Sequence, residues 1–337
     1  MDHMHKALIF GISGQDGSYL AEFLLFKGYE VHGVVRRHHS GYGTLENIKH
    51  LLKDDKIYRK KLFLHSGDLT DSPSIFRLIA ELKPEECYGL AAQADVQESF
   101  LMPEMTMDTN GNGVIRILEA IKQLSPKTKF YQASTSELFG NSGAPIQNES
   151  SLMNPQSPYA IGKLAGYMAV KRYREAYKIF ACNGILFNHE SERRGDDYVT
   201  RKITKGLARI KHGLQKELRL GNLDAIRDWG YSPNYIEAAW MILQAPFASD
   251  FVVGTGEIHT VREWLEYCLK YFGLTMDCVV IDQKLFRPAE VYSLCADYSK
   301  IKKELGWEPK VTFSKLAEIM CQNDEYLASL EARSLGK

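Results

Sequence analysis

Short apolar runs alternate with longer amphipathic stretches through the first half of the chain, and this pattern predicts alternating strands and helices. Buried strands are expected at the apolar runs Lys6–Gly11, Glu30–Val35, Leu62–Leu64, Glu86–Ala92, Lys129–Ser134 and Phe180–Phe187. Apolar positions three and four residues apart predict helices at Gly17–Lys27, Ser74–Leu82, Asn112–Gln123 and Pro158–Tyr177. Such alternation is typical of an α/β fold in which a parallel sheet carries helices on both faces.

The second half of the chain is less regular. It predicts helices at Val199–His212, Val261–Phe272 and Phe313–Leu330 and a strand at Phe251–Gly254. The chain has no internal repeat and no low-complexity linker, so its two parts are expected to interleave. We predict a doubly wound Rossmann domain over residues 1–182, with later segments near 228–262, and a smaller substrate lobe formed mainly by residues 183–337.

A glycine-rich turn joins the first predicted strand to the first predicted helix. Gly11, Gly14 and Gly17 are spaced as G-x-x-G-x-x-G, with Gln15 and Asp16 between the last two glycines. Such a turn lets the backbone approach a pyrophosphate, and the helix N-terminus offers free N–H groups and a positive dipole end. The motif alone also fits a plain tight turn, but its place at the first strand–helix junction favours a dinucleotide site.

The residues that follow the other strands indicate which dinucleotide this turn would bind. NAD-binding proteins usually place a carboxylate after the second strand, where it holds the ribose 2′-hydroxyl. Here Arg36 and Arg37 follow that strand, and their guanidinium groups suit a 2′-phosphate, so we predict NADP. The alternative is that both arginines are simply solvated. Asp68 and Leu69, after the third strand, are expected near the adenine, and Ala91, after the fourth, is expected to line the cofactor.

A second group of candidate residues lies near the fifth strand and the long helix after it. Tyr159 and Lys163 form Y-x-x-x-K, which puts both side chains on one helical face, where an ammonium would lower the phenol pKa. Thr135 and Glu137 follow the fifth strand, at the edge where such a sheet binds its ligands. Hydride transfer at an alcohol does not need Glu137, but proton abstraction next to a carbonyl would. A structural or helix-capping carboxylate is the alternative interpretation of Glu137.

Composition and charge argue against several other classes of function. Lys+Arg and Asp+Glu both total 42, so no net field favours nucleic acid or an acidic membrane surface. The six cysteines are scattered without a C-x-x-C pair, which argues against a zinc site and a disulfide framework. No apolar run reaches the roughly 18 residues of a membrane span, and no signal peptide is evident. We therefore predict a cytoplasmic protein without a metal centre.

Taken together, these residues resemble the extended short-chain dehydrogenase/reductases, and in particular the GDP-mannose 4,6-dehydratase family. The likeness runs from the first strand to about Pro309. It is carried by the stretches Gly14–Leu25, Phe130–Glu137, Ser157–Ala160, Asn183–Ser191, Val199–Ile203, Arg227–Gly230 and Phe286–Val291. The glycine turn and Y-x-x-x-K are typical of the whole superfamily, whereas the Asn-His-Glu-Ser and Val-Thr-Arg-Lys blocks indicate the dehydratases more specifically.

The resemblance implies an NADP-dependent hydro-lyase that acts on a GDP-hexose. Tyr159, as phenolate, would take the proton of the sugar C4 hydroxyl, Thr135 would hydrogen-bond the C4 oxygen, and hydride would pass from C4 to NADP+. Glu137 would then remove the C5 proton, and the C6 hydroxyl would leave as water with a proton from Glu137 or Thr135. The hydride would return to C6, and Lys163 would also bind the nicotinamide ribose. For the nucleotide, the family pattern implies Asn188, Lys202, Arg227, Arg287 and Glu290.

Plainer interpretations remain open for part of this set. Lys202 lies on a basic helical face that could be merely solvated, and Arg287 could form a structural salt bridge. An epimerase or C4 oxidoreductase on the same scaffold would need Tyr159 and Lys163 but not Glu137. A non-enzymic NADP sensor would keep the glycine turn without the reactive residues.

The resemblance also implies a homotetramer and leaves the sugar open. Family members usually form tetramers, and the long basic segment from Arg36 to about Lys60, expected to have no firm structure of its own, would reach a neighbouring subunit's cofactor region. After Gln93 the family usually has Ser followed by an aromatic residue or His, whereas this chain has Ala94 and Asp95. Because this turn is expected beside the sugar, GDP-manno-heptose joins GDP-D-mannose as a candidate substrate.

Overall fold

The protein is seen here as a computed structural model that describes residues 4–38, 41–42, 45–286, 291 and 293–336. In chain order its strands are β1 (Lys6–Phe10), β2 (Glu30–Val35), β3 (Arg37–His38), β4 (Gly41–Tyr42), β5 (Leu62–Ser66), β6 (Glu86–Gly89), β7 (Lys129–Thr135), β8 (Ala181–Leu186), β9 (Asn188–Glu190), β10 (Leu218–Leu220), β11 (Ile226–Arg227), β12 (Trp229–Tyr231), β13 (Phe251–Val253), β14 (His259–Thr260) and β15 (Val279–Ile281). The α-helices are α1 (Gln15–Phe26), α2 (Lys49–Leu52), α3 (Ser72–Leu82), α4 (Val96–Leu101), α5 (Pro103–Met107), α6 (Gly113–Leu124), α7 (Pro158–Tyr177), α8 (Val199–Lys211), α9 (Ser232–Gln244), α10 (Val261–Phe272), α11 (Ser299–Leu305) and α12 (Phe313–Ser334).

Seven of these strands form one parallel sheet, in the order β13-β8-β7-β6-β1-β2-β5. The order reverses at β1, because β2 and β5 lie on one side of it and β6, β7, β8 and β13 on the other. In a doubly wound sheet, ligands bind in the crevice outside the carboxyl ends of the strands at such a reversal. The predicted Rossmann-type α/β fold is confirmed, and the glycine turn that follows β1 lies at this crevice.

Alternating strand residues fill one hydrophobic core on each face of the sheet. Ala7 and Ile9 point into the core that α1 and α9 cover, whereas Leu8 and Phe10 point into the core that α3, α6 and α7 cover. A further core lies between α8, α10 and α12, where Trp229 packs against Trp264 with ring centroids 5.7 Å apart. The C-terminal part of the chain thus has a core of its own beside the sheet.

The chain crosses between these cores more than once. Strand β8 belongs to the sheet as far as residue 186, and β13, from much later in the chain, pairs with β8. Helix α9 packs on the sheet, whereas α8, which precedes it, belongs to the C-terminal core. The division at residues 182 and 183, with interleaved segments near 228–262, stays a prediction. Among the described residues, no helix combines the length and apolar character needed to cross a membrane.

Several elements differ from those expected from the sequence. The segment between Arg36 and Lys60 was expected to lack firm structure, which is wrong for residues 45–52, where a 3₁₀ turn at Glu46–Ile48 leads into α2. Ile48 and Leu51 are buried against the sheet core, and this burial orders the segment. Helices α4, α5, α9 and α11 were not predicted. Helix α6 is preceded by a π-helical segment at Asp108–Asn112.

Candidate active site

The glycine turn brings the backbones of β1, α1 and the segment after β6 into close contact. Gly11 has a φ of +91°, and a Cβ atom there would lie 2.8 Å from the backbone nitrogen of Ala91. A Cβ on Gly17 would lie 2.1 Å from the Gly11 carbonyl oxygen. Gly14, the exposed N-cap of α1, differs, because its Cβ would meet only that same oxygen, at 3.4 Å. The turn therefore leaves the N-terminus of α1 open to an anionic group at Gly14.

The side chains of Gln15 and Asp16 connect the start of α1 to later parts of the chain. The Asp16 carboxylate lies 2.8 Å from His189 Nε2 and accepts a hydrogen bond from the Ser232 hydroxyl at 2.8 Å. Gln15 donates to the His189 carbonyl at 3.1 Å and accepts from Ser191 at 2.8 Å. Burial opposes ionisation of both members of the pair, but their attraction dominates: the pKa of Asp16 falls well below its usual range and that of His189 rises. The backbone N–H groups of Gln15 and Asp16 stay predicted contacts of the cofactor.

The other predicted cofactor residues lie at the carboxyl ends of neighbouring strands. The side chain of Arg36, directly after β2, is exposed, and the side chain of Arg37 lies outside the described part of the chain. The Asp68 carboxylate accepts hydrogen bonds from the backbone and hydroxyl of Thr70, at 2.9 and 2.8 Å. Leu69 is buried in the core that α3, α6 and α7 cover, and Ala91 lies against Gly11.

The four predicted catalytic residues come together at the end of β7 and the start of α7. Thr135 is buried, and its hydroxyl oxygen accepts a hydrogen bond from the Glu137 backbone N–H at 3.2 Å. Tyr159, in the first turn of α7, is hydrogen-bonded to Thr135. One turn further on, the buried Lys163 donates from Nζ to the Ala133 carbonyl at 2.9 Å. A hydroxyl, a carboxylate, a phenol and an ammonium thus lie beside one another.

The electrostatics of this group differ from the sequence expectation in one respect. The pKa of Tyr159 is raised rather than lowered, because burial outweighs the hydrogen bond from Thr135 and the nearby Arg194 guanidinium. The Lys163 ammonium lies 5.9 Å from the Tyr159 ring centroid, while burial lowers its own pKa to about 8. The expected lowering of the Tyr159 pKa is therefore wrong for the described residues by themselves, and stabilisation of the phenolate by Lys163 stays a prediction.

A pocket lies next to this group and extends towards the C-terminal core. Its lining includes three of the predicted nucleotide-binding residues, Asn188, Lys202 and Arg227. Arg227 is buried and donates to the Val291 carbonyl at 2.9 Å. Predicted residues Arg287 and Glu290 lie outside the described residues. The four catalytic candidates are not among the residues that line this pocket.

Sequence reasoning missed the side chains between the pocket and Tyr159. Arg194 and Tyr198, from the segment joining β9 to α8, both line the pocket, and the Arg194 Cζ atom lies 3.5 Å from the Tyr198 ring centroid. Arg194 Nε also lies 3.1 Å from a carboxylate oxygen of the buried Glu190. The two adjacent cations Arg193 and Arg194, which follow the Asn-His-Glu-Ser block after Glu192, were a signal that could have drawn attention to this segment.

Comparison with known proteins identifies the family to which this site belongs. Residues 8–320 match the model of the family described as GDP-mannose 4,6 dehydratase. The chain belongs to that family. It is 52% identical over 331 residues to GDP-mannose 4,6 dehydratase 2 of Arabidopsis thaliana, with 96% of this chain and 88% of the relative covered. It is 46% identical over 357 residues to a GDP-mannose 4,6-dehydratase of Vibrio cholerae, with 97% and 95% covered.

Solved structures agree on the fold of this GDP-mannose 4,6-dehydratase family member. The dTDP-glucose 4,6-dehydratase of Bacillus anthracis in complex with NAD matches with a TM-score of 0.81 and 22% identity, covering 96% of this chain and 97% of that chain. At this level of identity the match establishes the fold. The family resemblance inferred from the sequence motifs is confirmed.

Proposed function

We propose that this chain is an NADP-dependent GDP-sugar 4,6-dehydratase, which converts GDP-D-mannose or GDP-manno-heptose into the 4-keto-6-deoxy sugar with loss of water. The observation that carries this proposal is the clustering of Thr135, Glu137, Tyr159 and Lys163 beside a pocket that contains Lys202 and Arg227. The relatives named above carry the same activity in their names and align over nearly the whole chain.

The glycine turn fits a dinucleotide diphosphate. Gly11 and Gly17 are required for the contact of α1 with β1 and the segment after β6, whereas Gly14 keeps the helix N-terminus accessible. Backbone N–H groups at such a terminus bind phosphate oxygens. The exposed Arg36 after β2 suits the 2′-phosphate of NADP better than the bare hydroxyl of NAD.

The proposed chemistry assigns one task to each catalytic side chain. When bound, the nicotinamide supplies a hydride acceptor for sugar C4 and a hydride donor for C6. Tyr159 takes the proton of the C4 hydroxyl, while Thr135, already hydrogen-bonded to Tyr159, holds the C4 oxygen. Lys163 binds the nicotinamide ribose from its buried position on α7. Tyr159 must first lose its own proton before it can act as the base. The pKa of this buried phenol therefore has to fall when cofactor and sugar are both bound.

Glu137 carries the step that distinguishes dehydration from simple oxidation. A ketone at C4 acidifies the C5 proton, which Glu137 removes. The C6 hydroxyl leaves as water with a proton from Glu137 or Thr135. When C6 is reduced a proton returns to C5, and it is balanced by the proton that Tyr159 took from the C4 hydroxyl. The cofactor is unchanged after each turnover, so the net reaction is the loss of one water.

The nucleotide would lie along the pocket towards the C-terminal core. The Lys202 ammonium has no hydrogen-bond or ion-pair partner among the described residues and lines the pocket, so it can bind a diphosphate. The buried Arg227 adds a second cation, and Asn188 adds an amide. Arg287 and Glu290 stay proposed nucleotide contacts from the family pattern, with the Glu290 carboxylate on the ribose hydroxyls.

We also propose that the enzyme is a cytoplasmic homotetramer. All six cysteines are free thiols, which suits a reducing compartment. Helices α5 and α7 pack against each other, and this part of the surface exposes the apolar residues Leu101, Met102, Met105, Ile161 and Met168. Such a patch is typical of a subunit interface. Light scattering coupled to gel filtration measures the mass directly, and a monomer would contradict this proposal.

An isotope experiment tests the proposed function. The enzyme is incubated with NADP+ and with GDP-mannose or GDP-manno-heptose that carries deuterium at C4, and the product is examined by mass spectrometry and NMR. We expect a product lighter by one water, with the deuterium on C6 of the same molecule. Deuterium that is lost to solvent or stays on the cofactor contradicts the mechanism.

The variant Glu137→Gln tests the role of the carboxylate. It should abolish water loss while C4 oxidation, followed as reduced cofactor absorbance, partly persists. Glu266→Gln, at an exposed position on α10, is the matched control and should keep wild-type turnover. Full dehydratase activity in Glu137→Gln would contradict the role proposed for this carboxylate. A wild type that oxidises or epimerises C4 without loss of water would instead favour an epimerase or oxidoreductase site.

A further inference from the structure

The pocket beside the catalytic group is lined by side chains of different chemical character. Lys202 and Arg227 are the cations assigned to the nucleotide. The lining also contains Tyr198 and Asp95, which follows β6, the strand that pairs with β7. These two polar side chains have no task in the mechanism proposed above.

The position of Tyr198 in the pocket is set by the helix that it caps. It is the N-cap of α8, and its carbonyl oxygen accepts a hydrogen bond from the Lys202 N–H at 2.8 Å. Residues four apart share one helical face and are separated by about one turn, roughly 5.4 Å. Both side chains line the pocket. A diphosphate held by Lys202 therefore places the attached sugar within reach of Tyr198.

The Tyr198 ring is held in position, whereas its hydroxyl is available to a ligand. The Arg194 guanidinium stacks on the ring, with Cζ 3.5 Å from the centroid. Arg194 is in turn paired with the buried Glu190, which accepts a hydrogen bond from Thr200 at 2.5 Å. Within the described residues, the Tyr198 hydroxyl has no hydrogen-bond partner. The phenol is thus oriented through its ring and leaves its polar atom to the pocket.

Electrostatic effects on Tyr159 support this placement. Burial is the main cause of the raised pKa of Tyr159, the Tyr198 phenol adds to it, and the Arg194 guanidinium opposes it. Both side chains are therefore close enough to influence the residue that would take the C4 proton. Tyr198 therefore lies near Tyr159 as well as near Lys202, the residue proposed to hold the diphosphate.

We propose that Tyr198 is a specificity-determining residue, whose hydroxyl hydrogen-bonds a hydroxyl group of the sugar in the bound GDP-sugar. This inference rests on the proposed function. It names the protein group whose contact with the sugar would make a GDP-sugar bind differently from free GDP. Tyr198→Phe removes only the hydroxyl and keeps the ring that stacks on Arg194. Tyr326→Phe, at a position on α12 that is 62% exposed, is the matched control.

Equilibrium binding separates the sugar contact from the nucleotide contact. The NADPH-loaded wild type and both variants are titrated calorimetrically with GDP-mannose, GDP-manno-heptose and GDP; NADPH prevents the first hydride step. For the GDP-sugar that the wild type binds more tightly, we expect the Kd to rise about three- to tenfold in Tyr198→Phe, the loss of one hydrogen bond. The Kd for GDP should stay unchanged, and Tyr326→Phe should match the wild type for all three ligands.

Two results would overturn the role of Tyr198. An equal rise in the Kd for GDP and for the GDP-sugar would mean that the residue acts on the nucleotide or on the fold. An unchanged Kd for the GDP-sugar would mean that its hydroxyl does not touch the sugar. Neither result depends on turnover, so failure of the wild type to release a dehydrated product counts against the proposed function alone.

Discussion

Replacing Asp16 with Asn perturbs the ion pair that joins the glycine turn to β9 and α9. The Asp16 carboxylate lies 2.8 Å from His189 Nε2 and also accepts from Ser232 at 2.8 Å and from Gln15 at 3.1 Å. His189 is held from its other ring nitrogen, which lies 2.7 Å from the Phe187 carbonyl. An Asn side chain has nearly the same shape but carries no charge, so the substitution removes the charge without opening a cavity.

The expected cost depends on pH because the pair is ionised. A hydrogen bond to a charged group contributes about 1.5–3 kcal/mol, so Asp16→Asn should lower the free energy of unfolding by about 2 kcal/mol at about pH 6. Folding raises the pKa of His189 from 6.5, since the attraction of Asp16 outweighs burial. Protonated His189 therefore stabilises the native state below pH 6.5, and this contribution is lost as the pH rises through the folded-state pKa. At about pH 9 the difference should shrink to about 1 kcal/mol, the value of a neutral hydrogen bond.

The same interaction lowers the pKa of Asp16, so its contribution to the free energy of unfolding must be counted only once. Its contribution is present above its usual pKa of 3.8 and is lost only in stronger acid, outside the range tested. Urea unfolding of the wild type and Asp16→Asn at several pH values between about 6 and 9 measures the difference. Asp55→Asn, at an exposed position, is the control. A difference that is constant over this range, or that grows as the pH rises, would refute a charged His189.

Four further substitutions test the cofactor site. Burial lowers the pKa of Lys163 from 10.5 to about 8, so the unfolded chain binds more protons between these values and the free energy of unfolding should rise with pH there. Lys163→Met should lack this rise in urea unfolding. Gly17→Ala should destabilise the fold by about 3 kcal/mol, because its Cβ would lie 2.1 Å from the Gly11 oxygen, whereas Gly14→Ala should fold normally and weaken NADP binding in a fluorescence titration. Arg36→Ala should raise the Kd for NADP about tenfold and leave that for NAD nearly unchanged, if its guanidinium binds the 2′-phosphate.

Local sequence signals predicted those elements whose ends are determined by nearby residues. Helix α7 begins and ends where expected, because Ser157 caps its first turn by accepting from Ala160 N–H. Helix α10 also begins and ends where expected, and Thr260 and Glu263 form a capping box at its start. Helix α9 was missed because it opens with Ser-Pro-Asn, a combination that also marks turns. Its helical state depends on burial against α1 and the sheet, which the local pattern does not reveal.

The same distinction applies to the site. The glycine turn and the Y-x-x-x-K pair are local motifs, and the sequence predicted both together with the neighbouring Thr135 and Glu137. Arg194 and Tyr198 are close in sequence, but the contribution of their stack to the site depends on distant parts of the chain. It requires that β9 lies beside β12 and that the segment after β9 lines the same pocket as Asp95. The Asp16–His189 pair joins residues 173 positions apart and anchors β9 at the glycine turn. The part of the site that would choose between sugars is thus assembled from contacts distant in sequence, and the part that performs the common chemistry is encoded in short motifs.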